Sequence, residues 1–198
     1  MYTLHGRVKS RALRTLWMLE ELGLPYSYHA TEPRSPEAFA VSPLGKVPVL
    51  LTEDGPVYDS VAQMTMLADR EGRFTHPAGS HARGVQDGFT NSVTELLDVI
   101  LWEMAKHVFV LPADQRVAAI KDSLRWQWER NAGLVAELLG GGPYATGAEP
   151  TVPDVLLAHC CGWAAGLKLD LPSPLRTHMT MMRARPAFRR AIAQGEAA

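Results

Sequence analysis

Up to about residue 75 the apolar positions keep changing their period. Tyr2-Thr3-Leu4-His5 reads as a short strand. From Ser10 onward, Leu13, Leu16, Trp17 and Glu20 fall on one helical face, which Leu19 and Leu22 widen; Gly23 and Pro25 then stop the helix. Tyr26-Ser27-Tyr28-His29-Ala30 alternates at period two, as a half-buried strand does. The segment Thr31 to Ser42, with Pro33, Pro36 and then Pro43, predicts loop with room for one short helix. Val47-Pro48-Val49-Leu50-Leu51 has the composition of a buried strand, and Glu53-Asp54-Gly55 turns it toward Val57-Tyr58. Ser60 opens a second helix, with Val61, Met64, Leu67 and Ala68 at helical spacing, ending near Gly72. The order βαβ, loop, ββα predicts a small mixed sheet with helices, forming one domain over residues 1–75.

His76-Pro77-Ala78-Gly79-Ser80 is a polar connector of the kind found between domains. Beyond it only helical patterns occur. Long helical segments are expected from Ala82 to His107 and from Ala113 to Leu139, with a break at Leu111-Pro112 and a stop at Gly140-Gly141-Gly142-Pro143. Thr151 and Asp154 have the capping-box spacing, with Pro153 in the first turn, and open an apolar helix reaching about Leu167. Two shorter helices follow, near Ser173–Ala184 and Pro186–Gln194. The fold class expected is an α/β domain followed by an all-α domain over residues 82–198.

Composition narrows the function classes. The chain has 198 residues, 20 Lys and Arg against 21 Asp and Glu, and 46% hydrophobic residues. Near-zero net charge argues against a general nucleic-acid binder. No run approaches the ~20 apolar residues of a spanning helix, so no membrane insertion is expected. The start MYTLHGRVKSR lacks an apolar signal core, so export is not expected and a cytoplasmic location is. The two cysteines are adjacent, which excludes a disulfide framework and a four-ligand zinc site. His159-Cys160-Cys161 lies inside an apolar helix, where consecutive residues point in different directions; buried free thiols are expected there, and no metal site. Trp126 and Trp128 are expected in the core or between domains, and Arg183, Arg185, Arg189 and Arg190 on a solvated helix face.

Three positions can carry chemistry. A proline within the Val47–Leu51 strand implies either an edge strand or a cis Val47–Pro48 bond, which would turn the main chain of Val47 outward to pair with an extended peptide. Asp59-Ser60 precedes a helix: it is either a plain N-cap or a site where a helix N-terminus takes a carboxylate and the Asp takes an ammonium group. Ser10 is likewise either an N-cap or a hydroxyl that stabilises an anion such as a thiolate.

The order Ser10-x-x-x-Arg14, LEELGLPY, PLGKVPVL and the pair Asp59-Ser60 resembles the cytosolic glutathione transferases of the bacterial serine type. The segment GGGPYATGAEPTVPDVLLAH is similar to the helix start of that family's second domain, so the resemblance spans essentially the whole chain. It departs from the family in two places: Asp59 stands where Glu is commoner, and Gly147-Ala148-Glu149-Pro150-Thr151 replaces a G-D-[RK]-[FY]-[ST] run.

The resemblance implies a thioredoxin-like first domain and glutathione as co-substrate. Val47, before a cis Pro48, would pair with the cysteinyl unit; Ser60 and Asp59 would hold the γ-glutamyl carboxylate and amine; Lys46 would approach the glycyl carboxylate. Ser10 would donate to the glutathione sulfur, with His5, Lys9 and Arg11 as alternatives. Trp102, Lys106 and His107, beside Phe109, are either an ordinary helix end or part of a site for an electrophilic small molecule. The expected activity is conjugation of the thiolate to such a molecule, in detoxification, by a homodimer. A glutathione-dependent peroxidase, isomerase or dehalogenase, or a non-catalytic ligand-binding protein, would share the same fold.

Overall fold

The computed structural model describes residues 1–197, with side chains through Gly195. Four strands, β1 (Tyr2–His5), β2 (Tyr26–His29), β3 (Val49–Thr52) and β4 (Gly55–Tyr58), form one sheet in the order β2-β1-β3-β4. β1 and β2 are parallel, with α1 supplying the crossover that a parallel pair requires, whereas β3 runs antiparallel to both β1 and β4. Helices α1 (Ala12–Leu22) and α3 (Ser60–Glu71) pack on each other and on the sheet. The short α2 (Pro36–Val41) is capped by the Ser35 hydroxyl, which accepts from the Ala38 amide at 3.1 Å. Leu4, Leu16, Leu19, Leu50, Met64 and Leu67 are fully buried and make the core of this unit. The thioredoxin-like βαβ-ββα arrangement is therefore present.

The remaining helices are α4 (His81–Val93), α5 (Val99–Ala105), α6 (Ile120–Leu139), α7 (Val152–Gly166), α8 (Ser173–Arg183) and α9 (Pro186–Ala197). Wider π-helical turns at Thr94–Asp98 and Lys106–Val110 join α4 to α5 and extend α5. The helix expected from Ala113 begins only at Ile120. The reason lies in the break: Arg116 turns extended and its guanidinium donates to the Leu111 and Phe109 carbonyls at 2.8 and 3.3 Å, while the Val117 amide donates to His107 Nδ1 at 3.1 Å. These bonds satisfy the open carbonyl end of the preceding helix, and before Ile120 only a single 3-10 turn forms, at Ala113–Gln115.

The capping box at α7 forms as expected. Asp154 is fully buried and accepts from the Thr151 and Ala145 amides, both at 2.8 Å, and pairs with His178 Nε2 at 2.8 Å. Cys160 and Cys161 are buried free thiols, with Cys160 3.8 Å from the Asp98 carboxylate, and burial pushes the Cys161 thiol far up. Among the described residues no three His, Cys, Asp or Glu side chains are placed to hold a metal ion. Nor is any helix there long and apolar enough to cross a membrane.

The chain divides into two compact units, Met1–Ala78 with Met182–Ala198, and Gly79–Met181. Within the first of these, α9 packs on α1. Two ion pairs account for this. Arg185 grips Glu21 with both arms, at 2.6 and 2.8 Å, and Arg190 meets the Glu20 carboxylate at 2.6 Å. The Phe188 ring meets Trp17 edge-on at 4.7 Å, and the Arg183 guanidinium lies over the Phe188 ring, 4.9 Å from its centroid. Arg185 and Arg190 are thus not merely solvated. Trp126 is corrected in the other direction: it is 63% exposed, while Trp128 is buried and donates to the Asp170 carbonyl at 2.9 Å. Two residues apart on a helix point to nearly opposite sides, so only one of the pair could join Leu124 in the core.

Candidate functional site

Three segments of the first unit meet around Gly6, the residue after β1. A Cβ at this position would come within 2.6 Å of Ala12 Cβ, 3.3 Å of Val47 Cβ and 3.5 Å of Pro48 Cα. With φ at +145°, the backbone here also favours glycine. The end of β1, the first turn of α1 and the segment before β3 are therefore in direct contact. The Val47–Pro48 bond is cis, which settles the two readings of that proline. Pairing in β3 begins at Val49, opposite His5 and Tyr58, so Val47 and Pro48 lie outside the ladder and no strand hydrogen bond is asked of the proline.

Ser10 lies one residue further out than expected: α1 begins at Ala12 with Arg11 as N-cap. Residues Arg7 to Ser10 form a tight turn in which the Ser10 amide donates to the Arg7 carbonyl at 2.9 Å. The Ser10 hydroxyl donates to the same carbonyl at 2.7 Å and accepts from the Ala12 amide at 3.1 Å. A hydroxyl fixed in this way, beside the open N–H groups of a helix start, is a donor aimed by its own backbone. Of its alternatives, Lys9 is exposed and Arg11 is half-buried at the cap. His5 is engaged elsewhere, stacked on His29 with ring centroids 4.9 Å apart and 3.1 Å from the Thr31 hydroxyl. Burial, with His29 second, lowers its pKa from 6.5.

Asp59 caps α3. Its Oδ1 accepts from the Val61 amide at 2.8 Å and the Ala62 amide at 3.2 Å. Its φ of +70° is in the left-handed region, which costs a non-glycine residue energy and is often kept at binding sites. The side chain is exposed, and a carboxylate that caps through one oxygen retains its charge and its second oxygen for a cation. Ser60, by contrast, is buried, and its hydroxyl accepts from Arg14 Nη1 at 3.3 Å. Arg14 is itself 1% exposed, so the arginine of the Ser10-x-x-x-Arg14 pattern joins α1 to the N-terminus of α3 from inside the domain.

Gln63 belongs to none of the sequence motifs. It is fully buried; its Nε2 donates to the Pro48 carbonyl at 3.1 Å and the Val57 carbonyl at 2.7 Å, and its Oε1 accepts from the Thr15 hydroxyl at 2.5 Å. The only signal available was a polar residue on the face of α3 that also carries Ser60, Met64 and Leu67. Lys46 is exposed beside Val47. In the helical unit, Trp102 and His107 are half-buried on or beside α5, Lys106 is paired with Glu103 at 2.6 Å, and Phe109 is 66% exposed. These four share one helical stretch, in which Lys106 and His107 already have partners.

Residues 10–70 match the model of the family described as "Glutathione S-transferase, N-terminal domain". Glutathione S-transferase 3 of Schizosaccharomyces pombe is 39% identical over 83 residues, covering 39% of this chain and 34% of that protein. The alignment thus spans about a third of the yeast protein's length. Glutathione S-transferase GstA of Escherichia coli O157:H7 is 30% identical over 159 residues, covering 78% of this chain and 76% of that protein. This chain belongs to the glutathione S-transferase family. Within the family, a solved structure with a similar fold is the theta class glutathione S-transferase of Xanthomonas axonopodis pv. citri with glutathione bound. It aligns with a TM-score of 0.80 at 22% identity over 96% of each chain.

Proposed function

We propose that this family member binds glutathione in its first unit and transfers the thiolate to an electrophilic small molecule. The observation that carries the reading is the meeting, around Gly6, of the Ser10-bearing turn with the cis Val47–Pro48 segment, to which α3 is tied through Gln63. In this reading the outward main chain of Val47 pairs with the cysteinyl unit of the tripeptide. Asp59 takes the γ-glutamyl ammonium, while the N-terminus of α3 at Ser60 takes its carboxylate. Lys46 meets the glycyl end.

The sulfur then lies toward Ser10. On binding, the hydroxyl exchanges its bond to the neutral Arg7 carbonyl for a charge-assisted bond to sulfur, which favours the thiolate. The thiol proton leaves to solvent. The sulfur lone pair forms a bond to the electrophilic carbon, and the leaving group departs with its electron pair; with an activated double bond, the carbanion formed takes a proton from solvent. Trp102, Lys106 and His107 are proposed to contact the electrophile, and Lys106 or His107 to steady negative charge on it. The proposal includes a cytoplasmic homodimer acting in detoxification.

The test is conjugation of glutathione to chlorodinitrobenzene, an activated aryl chloride, by the wild type and Ser10→Ala, together with retention on immobilised glutathione. Retention by both proteins with kcat/KM lower by about 10–100-fold in Ser10→Ala supports the reading, since one unit of thiol pKa is about tenfold in thiolate at neutral pH. Failure of the folded wild type to bind glutathione overturns it. Equal activity of the two proteins transfers the catalytic role from Ser10 to His5 or Arg11.

A further inference from the structure

The turn that carries Ser10 is supported from outside by the last helix. Val8, at its apex, is half-buried and faces Gly195 in the final turns of α9. A Cβ on Gly195 would lie 2.7 and 2.9 Å from the two Val8 methyl carbons and closer still to Val8 Cβ. The close atom is the branch point itself, whose position is fixed by the backbone, so no rotamer of Val8 relieves the overlap. The helix cannot readily yield as a body either. Arg185 and Arg190 bind it to Glu21 and Glu20, and Phe188 is packed on Trp17. What must give is the Arg7–Ser10 turn or the end of α9. The turn is short and its geometry is shared: the Arg7 carbonyl accepts from both the amide and the hydroxyl of Ser10.

We propose that Gly195 is a positioning residue for catalysis, its missing side chain giving Val8 the seat that sets the aim of the Ser10 hydroxyl at the substrate thiol. This rests on the reading of Ser10 as the thiolate donor. Gly195 does not itself touch glutathione; it acts through Val8 and the turn. The tripeptide's other contacts, at Val47, Asp59 and Ser60, are on different segments and are unaffected.

The experiment is to titrate bound glutathione by the ultraviolet difference band of its thiolate in wild type, Gly195→Ala and the double variant Val8→Gly/Gly195→Ala. Steady-state kinetics with chlorodinitrobenzene and melting temperatures are measured in parallel. Alanine favours helix over glycine, so Gly195→Ala strengthens α9 locally and its thermal stability is a separate readout. The expected result is a thiolate pKa about one unit higher in Gly195→Ala, with kcat/KM at neutral pH down about tenfold and KM for glutathione within about twofold. Recovery of the pKa toward wild type in the double variant, which removes the clashing Cβ, completes the case. A Gly195→Ala protein that titrates as the wild type does overturns the proposal, as does one whose melting temperature and KM change while the thiolate pKa stays. A wild type that binds glutathione but shows no lowered thiol pKa overturns the Ser10 reading, and this proposal with it.

Discussion

Gln63 Nε2 donates to the carbonyl of Pro48 at 3.1 Å, tying the third helix of the sheet domain to the cis-proline segment. The same amide nitrogen holds Val57 at 2.7 Å, and the amide oxygen takes the Thr15 hydroxyl at 2.5 Å, so one buried side chain joins β4, α1 and the start of β3. The segment that carries Val47 is therefore held from behind by a fully buried side chain.

Replacing Gln63 by Leu takes one hydrogen bond each from the Pro48 carbonyl, the Val57 carbonyl and the Thr15 hydroxyl. A loss of about 3 kcal/mol is expected, since each such group costs about 1–3 kcal/mol and part is recovered by relaxation. Gln63→Glu has the same shape but the opposite effect on the two carbonyls, because an ionised carboxylate cannot donate to them. It should be the less stable variant at neutral pH and should recover as the pH is lowered and the buried acid takes a proton. Urea denaturation across pH gives the order; equal stability of Glu and Gln at neutral pH would refute this account.

Asp59 combines a cap, a left-handed backbone and a charge, and Asn preserves the first two. Asn caps helices as well as Asp does and tolerates positive φ. Asp59→Asn should therefore stay within about 0.5 kcal/mol of wild type, while KM for glutathione rises about tenfold or more through loss of the charge proposed to meet its ammonium. Asp59→Ala should lose both, with about 0.5–2 kcal/mol of stability gone along with the affinity. Unchanged KM in Asp59→Asn would make the residue a cap alone.

The Glu21 carboxylate is 6% exposed and is held by Arg185 on two arms and by Trp17 Nε1 at 3.0 Å. Removing the arginine leaves a buried charge with one neutral donor. Arg185→Ala is expected to cost about 2–4 kcal/mol, and adding Glu21→Gln should restore part of it by removing the stranded charge. A double-mutant cycle in guanidinium measures the coupling; additive losses would show that the pair does not anchor α9.

His5 gives the fold a pH dependence of known sign. Its folded pKa is lowered from 6.5, chiefly by burial and then by His29. The unfolded chain therefore takes up the proton more readily than the folded one. Stability present above pH 6.5 is lost as the pH falls through the folded value. His5→Gln, which can still bond to Thr31, should lose less stability than wild type between about pH 7.5 and about pH 5.5. Parallel pH dependences would show that His5 does not contribute.

The local elements were legible because hydrophobic periodicity and stop signals act over a few residues. Leu4, Leu16 and Leu50 fell into the core as their spacing required, and Thr151 with Asp154 made the box that their separation predicts. The proline at position 48 was legible as an anomaly. That its bond is cis was not, because an edge strand and a turned-out segment place the same demand on a missing N–H.

By itself, then, the sequence determined the α/β-then-helical order, the burial of the two thiols and the segments that carry Ser10, Pro48 and Asp59. Only the tertiary structure decided which side chains hold those segments: Gln63 behind Pro48, Arg14 on Ser60, and α9 on α1 through Arg185 and Glu21. The reason is physical. Periodicity fixes which face of a helix is buried, but a polar residue on that face, or a run of arginines at the chain's end, takes its role from a partner as many as 170 residues away, and that distance closes only on folding.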